Sequence, residues 1–289
     1  MRIVIHIGPM GTGGTALKKH LTSNADLLRD AGVFVRVSDG DFRHLKEAIT
    51  QNRSVEELLD ALKTPDDAKT LVLCNETQVG TPDRPFGKRF WYGRARGRVL
   101  PIHEYFDGMD VWTSVALRNP ATLIPAKYAL TLSQRNFLSF SDFIGQTPLD
   151  QLSWAEFLER LQLLDAYKPI MTWRYEDYPF FWRDVVQALT GLENAQTLNG
   201  EVLQAEAEFS IAQLSHYANQ VAELKNKGEA IPKDHWNTFE TTADSITKLP
   251  EHPSWTSQFE ETLTEIYDED LYSAARMEGV HLIERRRLP

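Results

Sequence analysis

A glycine-rich stretch near the start of the sequence has the residue types of an anion-binding loop. Residues 3–7 are mostly β-branched and predict a buried strand. Apolar residues at helical spacing follow the stretch, so the order is strand, loop, helix. This order directs backbone N–H groups and the positive end of a helix dipole at one spot, where a phosphate or sulfate would bind. The stretch consists of Gly8, Pro9, Met10, Gly11, Thr12, Gly13, Gly14 and Thr15.

The stretch matches the P-loop pattern of nucleoside-triphosphate-binding proteins only in part. Gly8, Gly13 and Thr15 fit the pattern Gly, four residues, Gly-Lys-Ser/Thr, but Gly14 occupies the lysine position. A P-loop kinase would therefore lack the side chain that holds the outer phosphates. A purely structural alternative is that the glycines only let the strand and the helix pack closely, although so many glycines cost backbone entropy that packing alone does not require.

The run from His6 to Leu17 resembles the 5′-phosphosulfate loop of the sulfotransferases, especially of bacterial sulfotransferase-like proteins. In that family the loop reads Gly-x-x-Lys-Thr-Gly-Thr-Thr and begins a helix that ends near an Asn and a Gly-Val pair. Asn24 and Gly32-Val33 match that ending. The resemblance implies a sulfotransferase-like P-loop fold of three layers around a mainly parallel sheet. It also implies binding of 3′-phosphoadenosine 5′-phosphosulfate or of its desulfated product.

Two positions depart from the family pattern. Gly11 stands where the family has the lysine that stabilises the leaving phosphate, and Gly14 replaces a threonine. If catalysis occurs, we expect backbone N–H groups to stabilise that phosphate, with Lys18 as a possible substitute cation. The alternative to a catalytic sulfotransferase is a protein of the same fold that lacks catalysis and binds a nucleotide or a protein partner.

A carboxylate follows the next strongly apolar strand. Residues 70–75 form a continuous apolar run up to Asn75, as in a parallel strand that is covered on both faces. Ligands of open parallel sheets bind beyond the carboxyl ends of the strands, so we expect Glu76 beside the glycine loop. The resemblance implies that Glu76 deprotonates the acceptor hydroxyl. The structural alternative is a solvated glutamate at the end of a strand.

An arginine follows a third apolar strand at 111–117. A guanidinium there, before a helix, is well placed to bind a phosphate through two hydrogen bonds. Arg118-Asn119-Pro120 resembles the sulfotransferase site for the 3′-phosphate, in which a serine lies eight residues further on. That position holds Ala126, and Lys127 beside it is the candidate replacement. The structural alternative for Arg118 is an ion pair.

Residues 84–98 combine six basic residues with several aromatic ones, including Phe90, Trp91 and Tyr92. Their glycines and proline favour a loop over a helix. Such a loop would cover an anionic ligand and stack on its base or sugar. The alternative is a surface loop whose aromatic side chains enter the core.

The remaining composition excludes several classes of protein. A net charge of −10 argues against a protein that coats nucleic acid. The single cysteine, Cys74, excludes an internal disulfide and indicates a reducing, cytoplasmic environment. No apolar run is long enough to cross a membrane, we see no signal peptide, and no histidine has the spacing of a metal ligand.

Strands alternate with helices over the first 190 residues, which predicts an α/β fold with a largely parallel sheet. We expect one domain, with an α/β core at 1–190 and a mainly helical extension at 191–289. In that extension, apolar stripes at 211–224 and 255–267 predict helices that pack on the core. The leading hypothesis is transfer of a sulfuryl group to an alcohol oxygen of a sugar or lipid.

Overall fold

The computed structural model describes residues 1–81, 85–86, 90–133, 138–162, 169–201, 220, 223–224, 226–229 and 255–284. Residues 285–287 and most of the apolar stripe predicted at 211–224 lie outside these ranges.

Six parallel strands form one sheet in the order β2-β3-β1-β4-β5-β6. The predicted α/β class and parallel sheet are therefore confirmed. The central strands are continuously apolar because helices cover both faces of the sheet. The strands are β1 (Arg2–His6), β2 (Val33–Arg36), β3 (Thr70–Cys74), β4 (Asp110–Leu117), β5 (Ile170–Arg174) and β6 (Val280–Ile283).

Helices pack on both faces of the sheet and create three layers. Alternate residues of β1 separate the two cores, since Ile3 and Ile5 lie in one and Val4 lies in the other. The face that contains Val4 is covered by α1 (Gly14–Ser23), α2 (Ala25–Asp30) and α9 (Tyr178–Thr190). The opposite face is covered by α3 (Asp39–Thr50), α4 (Val55–Ala61), α5 (Ala95–Tyr105), α6 (Pro120–Ser133), α7 (Phe140–Ile144), α8 (Trp154–Gln162) and α10 (Ser257–Ala274).

The strand order creates a crevice at the carboxyl ends of β1 and β4. The connection after β1 passes over β3 to reach β2 at one edge, whereas β4 continues toward β5 on the other side. These neighbouring connections leave in opposite directions, and ligands of open parallel sheets bind at such points. The loops after β1, β3, β4 and β5 therefore surround one site.

Two local features were not predicted from the sequence. Residues 39–41 form the first turn of α3, because Ser38 and Asp41 make a reciprocal capping box. The region after 191 also contains β6, a short edge strand with only one buried residue. Its weak alternation left no clear strand signal in the sequence.

The C-terminal helix α10 braces the loops at the crevice. The Tyr267 hydroxyl lies 2.9 Å from Leu117 O and 3.0 Å from Glu176 Oε2. The other carboxylate oxygen of Glu176 accepts from Asn119 N at 2.8 Å. None of the described helices is long and apolar enough to pass through a membrane.

Asp270 joins α10 to the start of α8, and its loss should destabilise the fold. Its carboxylate accepts from Ser153 Oγ at 2.6 Å and from Trp154 N at 2.5 Å, and the side chain is buried. We expect Asp270→Ala to lower the free energy of unfolding by ~1–3 kcal/mol, since both donors lose their acceptor. Urea unfolding measures this effect. The exposed neighbour Glu269 supplies the control Glu269→Ala, and equal stability of the two variants would contradict the assignment.

Candidate functional site

The glycine loop has a backbone that requires glycine. Gly8, Gly11 and Gly13 have φ angles of +90°, +82° and +86°, a region that side chains disfavour. A Cβ on Gly8 would stand 2.4 Å from Glu76 O, and one on Gly13 would stand 3.1 Å from the Tyr175 ring. The glycines therefore allow three chain segments to meet, in addition to setting the turn.

The loop presents N–H groups that have no protein acceptor. Thr12 is the exception, since its N–H and hydroxyl both donate to Pro9 O, at 3.3 Å and 2.7 Å. No side chain caps the N-terminus of α1. Within the described part of the chain, no acceptor is found for the N–H groups of Gly11, Gly13, Gly14 and Thr15. Backbone N–H groups without an acceptor at the start of a helix are an arrangement that can bind an anion.

The two predicted catalytic residues, Glu76 and Lys18, lie together beside this loop. Glu76 follows β3, and a Cβ on Gly14 would stand 2.5 Å from both Cγ and Cδ of Glu76. Lys18, one turn into α1, places its Nζ 2.9 Å from Glu76 Oε1. The pair is largely buried, with side-chain exposures of 27% for Lys18 and 13% for Glu76. Glu76 is therefore a neutralised carboxylate at the loop, and Lys18 is its counter-ion.

Arg118 approaches the loop from the neighbouring strand, β4. Its Nη1 donates to Gly11 O at 2.6 Å and its Nε donates to Thr122 Oγ1 at 3.0 Å. The guanidinium also stacks on the Tyr175 ring at 4.4 Å. For Nη2, no acceptor is found among the described residues. Burial lowers the pKa of Arg118, but an arginine stays protonated at physiological pH, so a fixed cation borders the loop.

Lys127 is buried near the loop. From the sequence, we expect it only to replace the serine of the 3′-phosphate site. Its side chain is completely buried, and its Nζ has no hydrogen-bond partner and lies 5.2 Å from the Tyr92 ring centroid. Burial lowers the pKa of Lys127 to about 7. Ala126, beside it, is half-buried and adds no polar group to the site. Lys127 lies one helical turn from the apolar residues Leu123 and Leu130, a spacing that indicates the apolar face of α6 but not the contact of that face with the loop.

The predicted loop at 84–98 is wrong in its second half. Helix α5 begins at Ala95, and Trp91 and Tyr92 are fully buried in the core. Trp91 stacks on Trp154 at 4.9 Å, so these aromatic side chains pack on protein and not on a ligand. Phe90 remains 43% exposed, and residues 84 and 87–89 lie outside the described ranges.

His6 ends β1 directly before the loop. Its Nδ1 lies 3.2 Å from Ser114 Oγ, its ring stacks on Trp173, and its Nε2 is buried without a partner. Burial, with the charge of Lys18 as a smaller cause, lowers the pKa of His6 to about 3. The imidazole is therefore neutral at physiological pH. No group of three or more potential metal ligands occurs in the described ranges.

Comparisons with protein-family models and with curated proteins give no match for this chain. The functional inference therefore depends on the loop, on Glu76, Lys18, Arg118 and Lys127, and on the resemblance seen in the sequence.

Gly8→Ala should disrupt the loop, because the added Cβ meets the backbone of Glu76, which cannot yield as a side chain would. We expect the free energy of unfolding to fall by ~2 kcal/mol or more, as is usual for a strained or overpacked site. Chemical denaturation of this variant and of a control variant measures the difference.

Gly97→Ala is the matched control, since Gly97 lies in α5 with nothing within 4 Å of an added Cβ. The free energy of unfolding of this variant should rise by about 0.5–1 kcal/mol, because alanine has the higher helix propensity and lowers the entropy of the unfolded chain. A tolerated Gly8→Ala would mean that the loop and Glu76 are not in contact.

Proposed function

We propose that the protein binds 3′-phosphoadenosine 5′-phosphosulfate and transfers its sulfuryl group to an alcohol oxygen of a sugar or lipid. One observation carries the proposal: unpaired N–H groups of the glycine loop and the guanidinium of Arg118 meet at the carboxyl ends of two adjacent parallel strands. Such an arrangement suits a ligand that has two anionic groups, one for the amides and one for the arginine.

The two anionic groups of the ligand would bind different parts of the site. The 5′-phosphosulfate lies on the N–H groups that begin α1, where the helix dipole favours negative charge. The 3′-phosphate accepts from Arg118, whose Nη2 has no acceptor among the described side chains and backbone groups. Binding in this way requires Arg118 Nη1 to exchange Gly11 O for a phosphate oxygen, while Tyr175 keeps the guanidinium plane in place.

In the proposed reaction, the acceptor oxygen attacks sulfur as the bond from sulfur to the bridging phosphate oxygen breaks. The phosphate leaves with the bonding electron pair, and the acceptor proton passes to the carboxylate of Glu76. The charge that develops on the leaving phosphate is stabilised by the loop N–H groups. Lys18 holds the Glu76 carboxylate at the loop through their 2.9 Å ion pair, which positions it to act as the general base.

A second candidate is the same ligand site without catalysis. It is favoured by the engagement of Lys18, whose Nζ pairs with Glu76 and so is committed as a counter-ion. Gly11 adds no side-chain charge, and its φ of +82° disfavours any residue with a Cβ.

Binding of the desulfated cofactor, 3′-phosphoadenosine 5′-phosphate, tests the ligand. We expect isothermal titration calorimetry to detect binding to the native protein. Arg118→Ala should weaken it by about 10- to 100-fold, since a charged hydrogen bond contributes about 1.5–3 kcal/mol. Arg29, exposed on α2 and paired with Asp26, supplies the control Arg29→Ala. Absent binding, or equal affinity of the Arg118→Ala variant, would rule out the proposed ligand.

Transfer of sulfate from labelled donor to a panel of glycans and lipids separates the two candidates. If the protein is an enzyme, Glu76→Gln should lower the rate by about 10²- to 10⁴-fold, the usual contribution of a general base. The exposed residue Glu104 gives the control Glu104→Gln. Gly11→Lys is the third variant, and transfer seen only with it would favour the site without catalysis.

A further inference from the structure

Lys127 is a buried lysine for whose amine no hydrogen-bond partner is found among the described residues. Its side chain has no exposed surface, and its Nζ lies 5.2 Å from the Tyr92 ring centroid. Burial of an ammonium without an acceptor is costly, so such a residue is expected where a ligand supplies the missing charge.

The position of Lys127 on α6 directs it toward the glycine loop. A Cβ on Gly11 would stand 3.4 Å from Leu130 Cδ1 and 3.6 Å from Leu123 Cδ1. Lys127 is one helical turn from each of these leucines and so shares the face of α6 that contacts Gly11. Lys127 therefore belongs to the part of α6 that packs against the loop at Gly11.

The charges around Lys127 show which group lacks a partner. Glu76, after β3, attracts its ammonium, and Arg118, after β4, repels it. The Glu76 carboxylate is already paired with Lys18 of α1, and Tyr92, before α5, contributes a neutral ring. Glu76 and Arg118 are the charges that act on Lys127, and Lys18 is linked to them only through its pair with Glu76. Because Glu76 is already paired, the Lys127 ammonium has no carboxylate of its own among the described residues.

We infer that Lys127 is the cation that neutralises a phosphate or sulfate group bound on the glycine loop, reaching it from beneath the loop through α6. The inference deepens the proposed function and rests on it for the class of ligand. In this inference, a residue of α6 supplies the positive charge that the loop lacks because Gly11 has no side chain. Lys18 then has a single role at the site, as the counter-ion of Glu76.

Binding of an anion should also make Lys127 take up a proton. With a pKa of about 7, the amine is mostly neutral at pH 8, and a bound anion raises that pKa by favouring the charged form. Uptake is therefore expected at pH 8, approaching roughly one proton for each anion bound. At pH 6 the amine is already protonated, so uptake there should be close to zero.

Calorimetry of the full chain with inorganic sulfate, which does not titrate between pH 6 and pH 8, tests the inference, using buffers of different ionisation enthalpy to count protons. We expect Lys127→Met to weaken binding by about 10- to 100-fold at pH 6 and to abolish the proton uptake at pH 8. The control is Lys46→Met on α3, an exposed residue, which should leave both quantities unchanged. Thermal unfolding checks the variant, which should melt no lower than the native protein because it loses a buried unpaired charge.

The outcomes are separable from those of the proposed function. Sulfate binding that depends on Lys127, with no affinity for 3′-phosphoadenosine 5′-phosphate, would support the cation and reject the nucleotide. Unchanged affinity in Lys127→Met, or no sulfate binding to the native protein, would overturn the inference. If Lys127→Met does not fold, the native protein still decides, because binding without proton uptake at pH 8 would also overturn it.

Discussion

The close approach of two backbone segments at the carboxyl ends of β1 and β3 determines the rest of the site. Gly8 lies so near Glu76 that no Cβ fits between them. This contact turns the loop over the sheet and brings the Glu76 carboxylate against Gly14 at the start of α1. A parallel sheet places strand ends at one edge, and this contact converts that edge into a single polar cluster.

The electrostatic arrangement assigns separate tasks to residues that are far apart in the sequence. Glu76 and Lys18 neutralise each other, while Arg118 is held between Gly11 O and the Tyr175 ring. The positive charge that remains comes from two elements on one side of the loop, β4 and α6. A local cluster of cations can thus persist in a protein whose net charge is −10, because the local balance of charges differs from the global one.

Much of the fold could be predicted from the sequence, because buried parallel strands are continuously apolar and glycines mark the loop. The meeting of Glu76, Lys18 and Arg118 at one edge followed from the same rule about strand ends. The burial of Trp91 and Tyr92 could not be predicted in this way, because aromatic residues among arginines can either stack on a ligand or pack in the core. The placement of Lys127 and the strand β6 depended on packing between distant segments, which local periodicity does not encode.

The contacts of α10 have a consequence for the order in which the molecule folds. Tyr267 reaches the carbonyl of Leu117, 150 positions earlier in the chain, and Thr264 reaches Asn119. The strand end that carries Arg118 is therefore fixed only after the last helix has been synthesised and docked. A chain still emerging from the ribosome has its glycine loop but not its braced arginine, and long-range closure of this kind slows folding. The braced position of Arg118 should thus be among the last features that the nascent protein acquires.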